Sequence, residues 1–391
     1  TRLSMKCRVF FYIFMKKLLF LVLITSLAIS QNDDSLKMYK GNEIIVSASR
    51  SEILLKNSSS FVSLLKTDEI EKINGVKLAD KLSYVPGIMF KDYGYGGLKN
   101  ISLRGLGGEH TLVLFNGEKI NSDQNGACDF NNILVDEVER IEIIRGGSSA
   151  YYGADAIGGV INIIPKNKFD KFAMKAGLSF GSFNYKSIML GTSGKYNGMS
   201  ISASFAKENS DNDYKYRYDD HGEIFKGSRS NSDFDINQGL AQLNYSFNSA
   251  LSMQLITKYF YADRGIPNIV TIKNSTARQI DEDLLIMSSL NYKLNGMYLS
   301  ISPSYKYSYY KYNDPNMSDG ISSLTGSSDF YRYGMSGNLK TILSPNFPFQ
   351  FGLEFYSTQA TCLNYIGERD RLQIGSFLSA EINLFKEGIF P

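Results

Sequence analysis

The chain has 391 residues, 43% of them hydrophobic, and its 42 Lys and Arg against 39 Asp and Glu leave a net charge of +3. That apolar content can bury a core, which excludes disorder for most of the chain, and the scattered Lys and Arg, with no run of five like charges, exclude the footprint of a nucleic-acid binder. Two histidines (His110, His221) and three cysteines (Cys7, Cys128, Cys362), none at metal-ligand spacing, argue against a zinc centre or a Cys–His nucleophile, so neither an enzyme nor a resident cofactor is expected.

Residues 1–30 read as upstream residues and a signal peptide. Met15 is the expected start, Lys16 and Lys17 form the positive segment, residues 18–24 the apolar segment, and Ala28-Ile29-Ser30 a small-residue cleavage site. The apolar run is short for a membrane-spanning helix, and no later stretch is long enough, so any membrane crossing is expected to use strands. Residues 31–50 form a polar, flexible leader.

Residues 51–165 read as a small α+β domain. Thr67 is expected to cap a short helix carrying Asp68 and Glu69, and a second helix spans residues 76–84 before Pro86-Gly87. The segment Thr111-Leu112-Val113-Leu114-Phe115, then Asn116-Gly117, then Glu118-Lys119-Ile120 is a two-residue hairpin, because Asn-Gly tolerates the positive φ of a type I′ turn. Residues 140–144 and 160–164 are further strands.

From residue 166 to 391 the pattern changes to long strands with period-two alternation, and the chain as a whole is expected to be mainly β. Met199, Ile201, Ala203 and Phe205 oppose Ser200, Ser202 and Ser204, while Leu299, Ile301, Tyr305 and Tyr307 oppose Ser300, Ser302, Ser304 and Lys306. About ten such segments of roughly 9 to 15 residues alternate between short turns, such as Asn295-Gly296, and long polar loops, such as residues 207–234. Alternation alone is also compatible with a soluble β-sandwich. Strand length, the alternation of short and long connections, and Tyr and Phe near strand ends favour an antiparallel transmembrane barrel.

The glycine runs 94–97 and 105–108 do not complete a nucleotide-binding motif, and they read as turns and close backbone approaches. The cluster Asp219-Asp220-His221 has no Ser or Cys motif beside it and reads as solvated or ligand-facing.

Leu103-Arg104-Gly105, the hairpin, Val138-Glu139-Arg140-Ile141-Glu142-Ile143-Ile144-Arg145-Gly146 and the run from Tyr152-Gly153-Ala154-Asp155 through Gly158-Gly159-Val160-Ile161-Asn162 resemble, in order, the plug signature of TonB-dependent outer-membrane receptors. Glu43, Ile44, Ile45, Val46, Ser47 and Ala48 resemble that family's TonB box, with Ser47 where Thr is usual. The wording is closest to the cobalamin-receptor branch, with catecholate-siderophore receptors next. The plug resemblance covers about residues 43–165, and beyond it the likeness to the barrel is one of pattern.

This resemblance implies a plug closing a monomeric barrel in the lipid of the bacterial outer membrane. It implies TonB as the partner that uses the inner-membrane proton gradient, and import of a large, scarce solute as the activity. It also implies that Arg104 and Arg145 pair with barrel carboxylates, a solvated turn arginine being the alternative. Plugged transporters use about 22 strands, so about ten here read as a C-terminally truncated fragment.

Solute-facing residues are expected at the plug apices, with Tyr93 and Tyr95 in one and Gln124 and Asn125 in the other, and on the long loop after the third barrel strand, with Tyr214 and Tyr216. Such an aromatic, amide-bearing, acidic set suits a corrinoid better than an anionic ferric catecholate. A ferric siderophore receptor, or a passive plugged barrel or adhesin, are the alternatives. Asp211, Asp213, Asp219 and Asp220 have the donor chemistry for calcium, as in the resembled branch, with an ordinary solvated loop as the other reading. The pairing and redox state of Cys128 and Cys362 do not follow from sequence.

Overall fold

The computed structural model describes residues 60–380, apart from residues 76, 147–148, 168, 170, 268–274, 295, 316–323, 345–346 and 364–367, together with two dipeptide strands ahead of them. Those strands, β1 (Ile44–Ile45) and β2 (Ile53–Leu54), pair antiparallel, Ile44 opposite Leu54 and Ile45 opposite Ile53. The expected signal peptide and the rest of the leader lie outside the described residues.

The plug begins with β3 (Phe61–Lys66), α1 (Thr67–Lys72) and α2 (Leu78–Leu82). Thr67 is the first helical residue of α1 and not its cap. Its hydroxyl donates to the carbonyls of Val138 and Glu139, and the helix is instead opened by Glu69, which accepts from the Lys66 amide at 3.0 Å. Helix α2 is shorter than residues 76–84, since the chain leaves it at Ser83, whose amide closes the last turn on the Ala79 carbonyl.

Next come the hairpin β4 (Ile88–Asp92) and β5 (Lys99–Leu103), then β6 (Thr111–Phe115), β7 (Glu118–Lys119), β8 (Val138–Arg145), the short helix α3 (Ser149–Tyr152) and β9 (Gly159–Pro165). The plug sheet runs β3-β8-β9-β6-β7, antiparallel except for the β6/β9 pair. Every residue of β6 and of β9 is buried, because both faces of these strands are covered. This is why their sequences are mainly apolar without alternation, Thr111 opening β6 and Asn162 interrupting β9. Between β6 and β7 the expected turn forms, with φ of 49° at Asn116 and 87° at Gly117.

The second sheet has ten antiparallel strands: β10 (Ala173–Phe180), β11 (Lys186–Tyr196), β12 (Met199–Ser210), β15 (Phe234–Ser246), β16 (Leu251–Gly265), β17 (Arg278–Leu294), β18 (Met297–Asp314), β19 (Leu324–Ser344), β20 (Phe347–Cys362) and β21 (Glu368–Ala380). Each pairs with its neighbour in this order, and β10 and β21 are the sheet's edges. The stretch 207–234, expected to be a polar loop, is mostly strand: its first residues finish β12, and its middle is a separate hairpin of β13 (Lys215–Asp220) and β14 (Glu223–Ser228). Several strands exceed the expected length, and β19 reaches 21 residues. The β17/β18 ladder omits Ser288 and Ser289, which lie opposite Pro303 and Ser302, because Pro303 has no amide hydrogen to donate.

Alternation gives the strands that meet the plug two environments, whereas the edge strand β10 is exposed on both faces. The even-numbered residues of β12, β15 and β16 face the plug and are largely buried; Leu240 and Ile256, with Leu285 and Met287 of β17, join one apolar core with Leu78, Leu82, Ile101 and Phe130 of the plug. Opposite them, Leu190, Leu255, Ile286, Ile301, Met335, Leu353 and Ile374 are exposed. Tyr305 and Tyr333, with ring centroids 5.4 Å apart, lie on this outward face, whereas Tyr307, 5.2 Å from Tyr331, is buried and donates to Asp329. A contiguous apolar and tyrosine surface of this kind on long strands is the lipid-facing surface of a membrane barrel. Among the described residues no helix is long and apolar enough to cross a membrane.

Candidate functional site

One rim of the barrel sheet carries short turns, such as Asn197-Gly198 and residues 247–250; the other carries the long connections 211–233, 266–277 and 315–323. Contacts with the sheet orient the plug between these rims. Near the short-turn rim, Asn116 at the hairpin tip donates to Gln254 at 2.8 Å, and Gln242 and Asn244 donate to the carbonyls of Lys166 and Asn167, where the chain passes from plug to barrel. Loops 93–98 and 122–127 therefore face the long-loop rim.

Loop 93–98 is built by aspartate and glycine turns. Asp92 accepts from the Gly94 amide at 2.8 Å, the Gly97 amide donates to the Gly94 carbonyl, and Lys99 ties Asp92 to Asp80 at 3.1 and 2.8 Å. Tyr93 stands exposed, with the Lys91 ammonium 5.4 Å from its ring centroid. Tyr95 departs from the expectation of a solute-facing ring. It packs edge-on against Tyr185 at 5.4 Å and against Phe234 at 6.0 Å, beside Ile236 and Phe260, so it seats the loop on the wall. Burial, then the neighbouring Tyr185, raises its hydroxyl pKa well above the ordinary value.

Loop 122–127 presents Gln124 and Asn125, both exposed. It closes on itself through Ser122 N to Ala127 O at 2.7 Å and Gly126 N to Ser122 O at 2.9 Å. Tyr214 is exposed beside Phe183 and Tyr216 lies in β13, so both stand in the connection that follows the third barrel strand. The β13/β14 hairpin also separates the four carboxylates offered for calcium. Asp211 accepts from Asn184, Asp219 accepts from the Gly222 amide at the tip, and the six-residue step from Asp213 to Asp219, most of it along β13, spans about 20 Å. Among the described residues no three Asp, Glu, His or Cys side chains are grouped to hold a metal.

The ion pairs between plug and wall run opposite to the expected polarity. Arg145 donates to Ser63 and, at 3.1 Å, to the Pro86 carbonyl, with its guanidinium over Phe61. Arg104 occupies a left-handed turn at φ 59° and is exposed. Neither meets a barrel carboxylate among the described residues. Instead the wall supplies most of the cations and the plug the acids: Arg264 to Asp129 at 2.6 Å, Lys306 to Asp123 at 3.1 Å, and Arg332 to Asp123 at 3.0 Å and Glu118 at 3.2 Å. Lys77 with Glu208 is the one pair described with the reverse arrangement. Burial alone would push the Asp123 carboxyl up, but the charges of Lys306 and Arg332 outweigh it and hold the group below the ordinary carboxylate range. At Glu118 burial prevails over Arg332, and its carboxyl is pushed up. Burial also pushes the Cys128 thiol up to about 12, which leaves it inert. Sequence periodicity carried the signal for these pairs, since Lys306 falls on the serine face of its strand, the face that meets the plug.

Residues 55–160 match the family model described as the TonB-dependent receptor plug domain. That stretch is therefore a TonB-dependent receptor plug domain. This places the chain in the outer membrane, in agreement with the outward face of its barrel sheet. Over 150 residues, 38% of this chain and 25% of the relative, the chain is 37% identical to the vitamin B12 transporter BtuB of Photobacterium profundum. Over 165 residues, 41% of this chain and 26% of the relative, it is 38% identical to that of Vibrio vulnificus. Among solved structures, the siderophore receptor PiuA from Acinetobacter baumannii superposes with a TM-score of 0.61 at 17% identity, covering 82% of this chain and 53% of that one. The ferric citrate transporter FecA gives 0.63 at 13% identity, covering 81% and 49%. The matched stretches thus span about a quarter of the curated relatives and about half of the solved receptor chains.

Of the box residues, Ile44 and Ile45 are the two described strand residues, and they pair with Ile53 and Leu54. Glu43, Val46, Ser47 and Ala48 lie outside the described residues.

Proposed function

We propose that this chain forms the plug and part of the barrel of a receptor that imports a corrinoid across the outer membrane, driven through TonB bound at residues 43–48. The observation that carries the reading is the character of the apex: exposed Tyr93, Gln124 and Asn125 face the long-loop rim, while the wall cations beneath them, Arg264, Lys306 and Arg332, are each engaged by plug carboxylates. Tyrosine faces and amides suit a solute with an apolar ring edge and many neutral amides. The names of the curated relatives support the same solute. TonB engagement would add the box as a strand to a sheet edge of the partner, where main-chain hydrogen bonds give affinity and side chains give selectivity.

A ferric siderophore is the second reading, favoured by what the solved neighbours are named for. Equilibrium binding of cyanocobalamin and of ferric enterobactin to the full-length receptor, with and without calcium, separates them. The corrinoid reading expects saturable cyanocobalamin binding and none of the catecholate, and the opposite result overturns it. Calcium is expected to change the affinity only if hairpin carboxylates converge in the bound state. Uptake that survives collapse of the proton gradient would point to a passive plugged barrel or adhesin.

A further inference from the structure

We propose that Asp123 and Asp129 are positioning residues that fasten both ends of the 122–127 apex segment to the barrel wall, so that wall strands β16, β18 and β19 set where Gln124 and Asn125 meet the solute. The proposal rests on the reading of this apex as the solute-facing surface. Both oxygens of Asp123 are taken by the wall, Oδ1 by Arg332 at 3.0 Å and Oδ2 by Lys306 at 3.1 Å, and Lys306 also donates to the Asn121 carbonyl at 2.8 Å. Asp129 gives Oδ2 to Arg264 at 2.6 Å and Oδ1 to the plug amides of Lys99 and Asn131. The three cations are 1–4% exposed and the two carboxylates 9% and 15%, so these charge-assisted bonds are screened little by water.

Between the two anchors the segment is stiffened locally. Gln124 N donates to Ser122 Oγ at 3.2 Å and Ala127 N to Asn125 Oδ1 at 3.0 Å. A short body of this kind takes its placement from its ends. The neighbouring apex loop 93–98 is referenced differently: its ionic ties, Lys99 to Asp92 and Asp80, are within the plug, and it meets the wall through apolar packing of Tyr95 and Gly96 on Phe234 of β15. The two halves of the apex therefore answer to different strands of the wall, one through packing and the other through charge. Lys306 and Arg332 are register partners across adjacent strands β18 and β19, so the two cations that hold Asp123 are set by one wall register.

The test uses the full-length receptor in its membrane, with Asp123→Asn, which keeps shape and loses charge, Asp123→Glu, and the double variant Lys306→Gln/Arg332→Gln. Two readouts are taken: uptake of cyanocobalamin against concentration, and hydrogen exchange of the apo protein. Asp123→Asn is expected to raise the half-saturation concentration about tenfold with unchanged maximal uptake, as loss of a charged hydrogen bond predicts. Exchange is expected to quicken at residues 122–127 while β6 stays protected. Asp123→Glu should recover part of the affinity, and the double variant should reproduce the asparagine effect. Unchanged half-saturation together with unchanged exchange overturns the proposal, as does exchange raised through the whole plug with maximal uptake lost in parallel. If the wild type takes up no cyanocobalamin, the corrinoid reading fails by itself; exchange quickened only at 122–127 then still supports the positioning role, and unchanged exchange overturns it.

Discussion

Asp123 of the plug and Arg332 of the barrel wall are 209 residues apart in the chain and 3.0 Å apart in the structure. Arg332 also reaches Glu118 at 3.2 Å and the Lys119 carbonyl, so one guanidinium ties the hairpin and the apex of the plug to β19. Replacing it with alanine leaves Glu118 buried without its cation and Asp123 with Lys306 alone. Arg332→Ala is expected to weaken plug docking by about 3–5 kcal/mol, the usual cost of breaking a buried pair from one side. The measurement is the urea concentration at which trypsin begins to cut the plug, and Glu118→Gln in the same background should recover part of the loss.

Close backbone approach seats the other apex loop. Gly96 is buried against Phe234, and a methyl group added there would fall within the phenyl ring. Gly96→Ala is expected to destabilise docking by about 1–3 kcal/mol through overpacking. Phe234→Leu should relieve this in a double-mutant cycle, whereas additive effects would place the strain elsewhere.

Acidity should act on the plug in two opposed steps. The folded pKa of Glu118 is raised, so its charged form costs docking energy at neutral pH, and docking should strengthen as pH falls from that raised value toward the unfolded value of about 4.3. Asp123 has a depressed folded pKa, so its contribution is complete above about pH 4 and is lost as pH falls further toward that depressed value. Plug proteolysis across pH 7, 5 and 3 reads both steps. Glu118→Gln should remove the gain in mild acid, and Asp123→Asn should remove the loss at low pH.

The outward face predicts a lipid test. Leu353 projects outward from β20 and is exposed, so Leu353→Arg is expected to cost about 2–4 kcal/mol if it sits at the bilayer midplane, with Leu353→Ala costing far less. The fraction of full-length receptor that assembles in lipid vesicles from urea measures the difference.

A final test concerns the box. Ile45→Pro removes a main-chain donor from β1, and it is expected to abolish energised uptake and capture by a TonB fragment while leaving cyanocobalamin binding at the cell surface unchanged. Uptake that persists would remove residues 43–48 from the role.

Periodicity and turn chemistry determined much of this protein locally. The Asn116-Gly117 turn, the doubly buried runs of β6 and β9, and the two faces of β12 and β18 follow from side-chain rules that act over a few residues. Identification of the plug was equally legible, because its signature is contiguous in sequence. Local rules did not reveal that residues 215–228 fold as a hairpin, since its short polar strands pair only with each other outside the main sheet. They also could not assign partners to charges. Tyr95 turns to the wall because Tyr185 and Phe234 offer it an apolar seat, and Asp123 is held by cations that arrive from β18 and β19. Those contacts exist only once two sheets far apart in the chain are packed together, where burial makes each cation require an acid within reach. The sequence alone determined which strand faces meet the plug; tertiary packing decided which residues on those faces hold it.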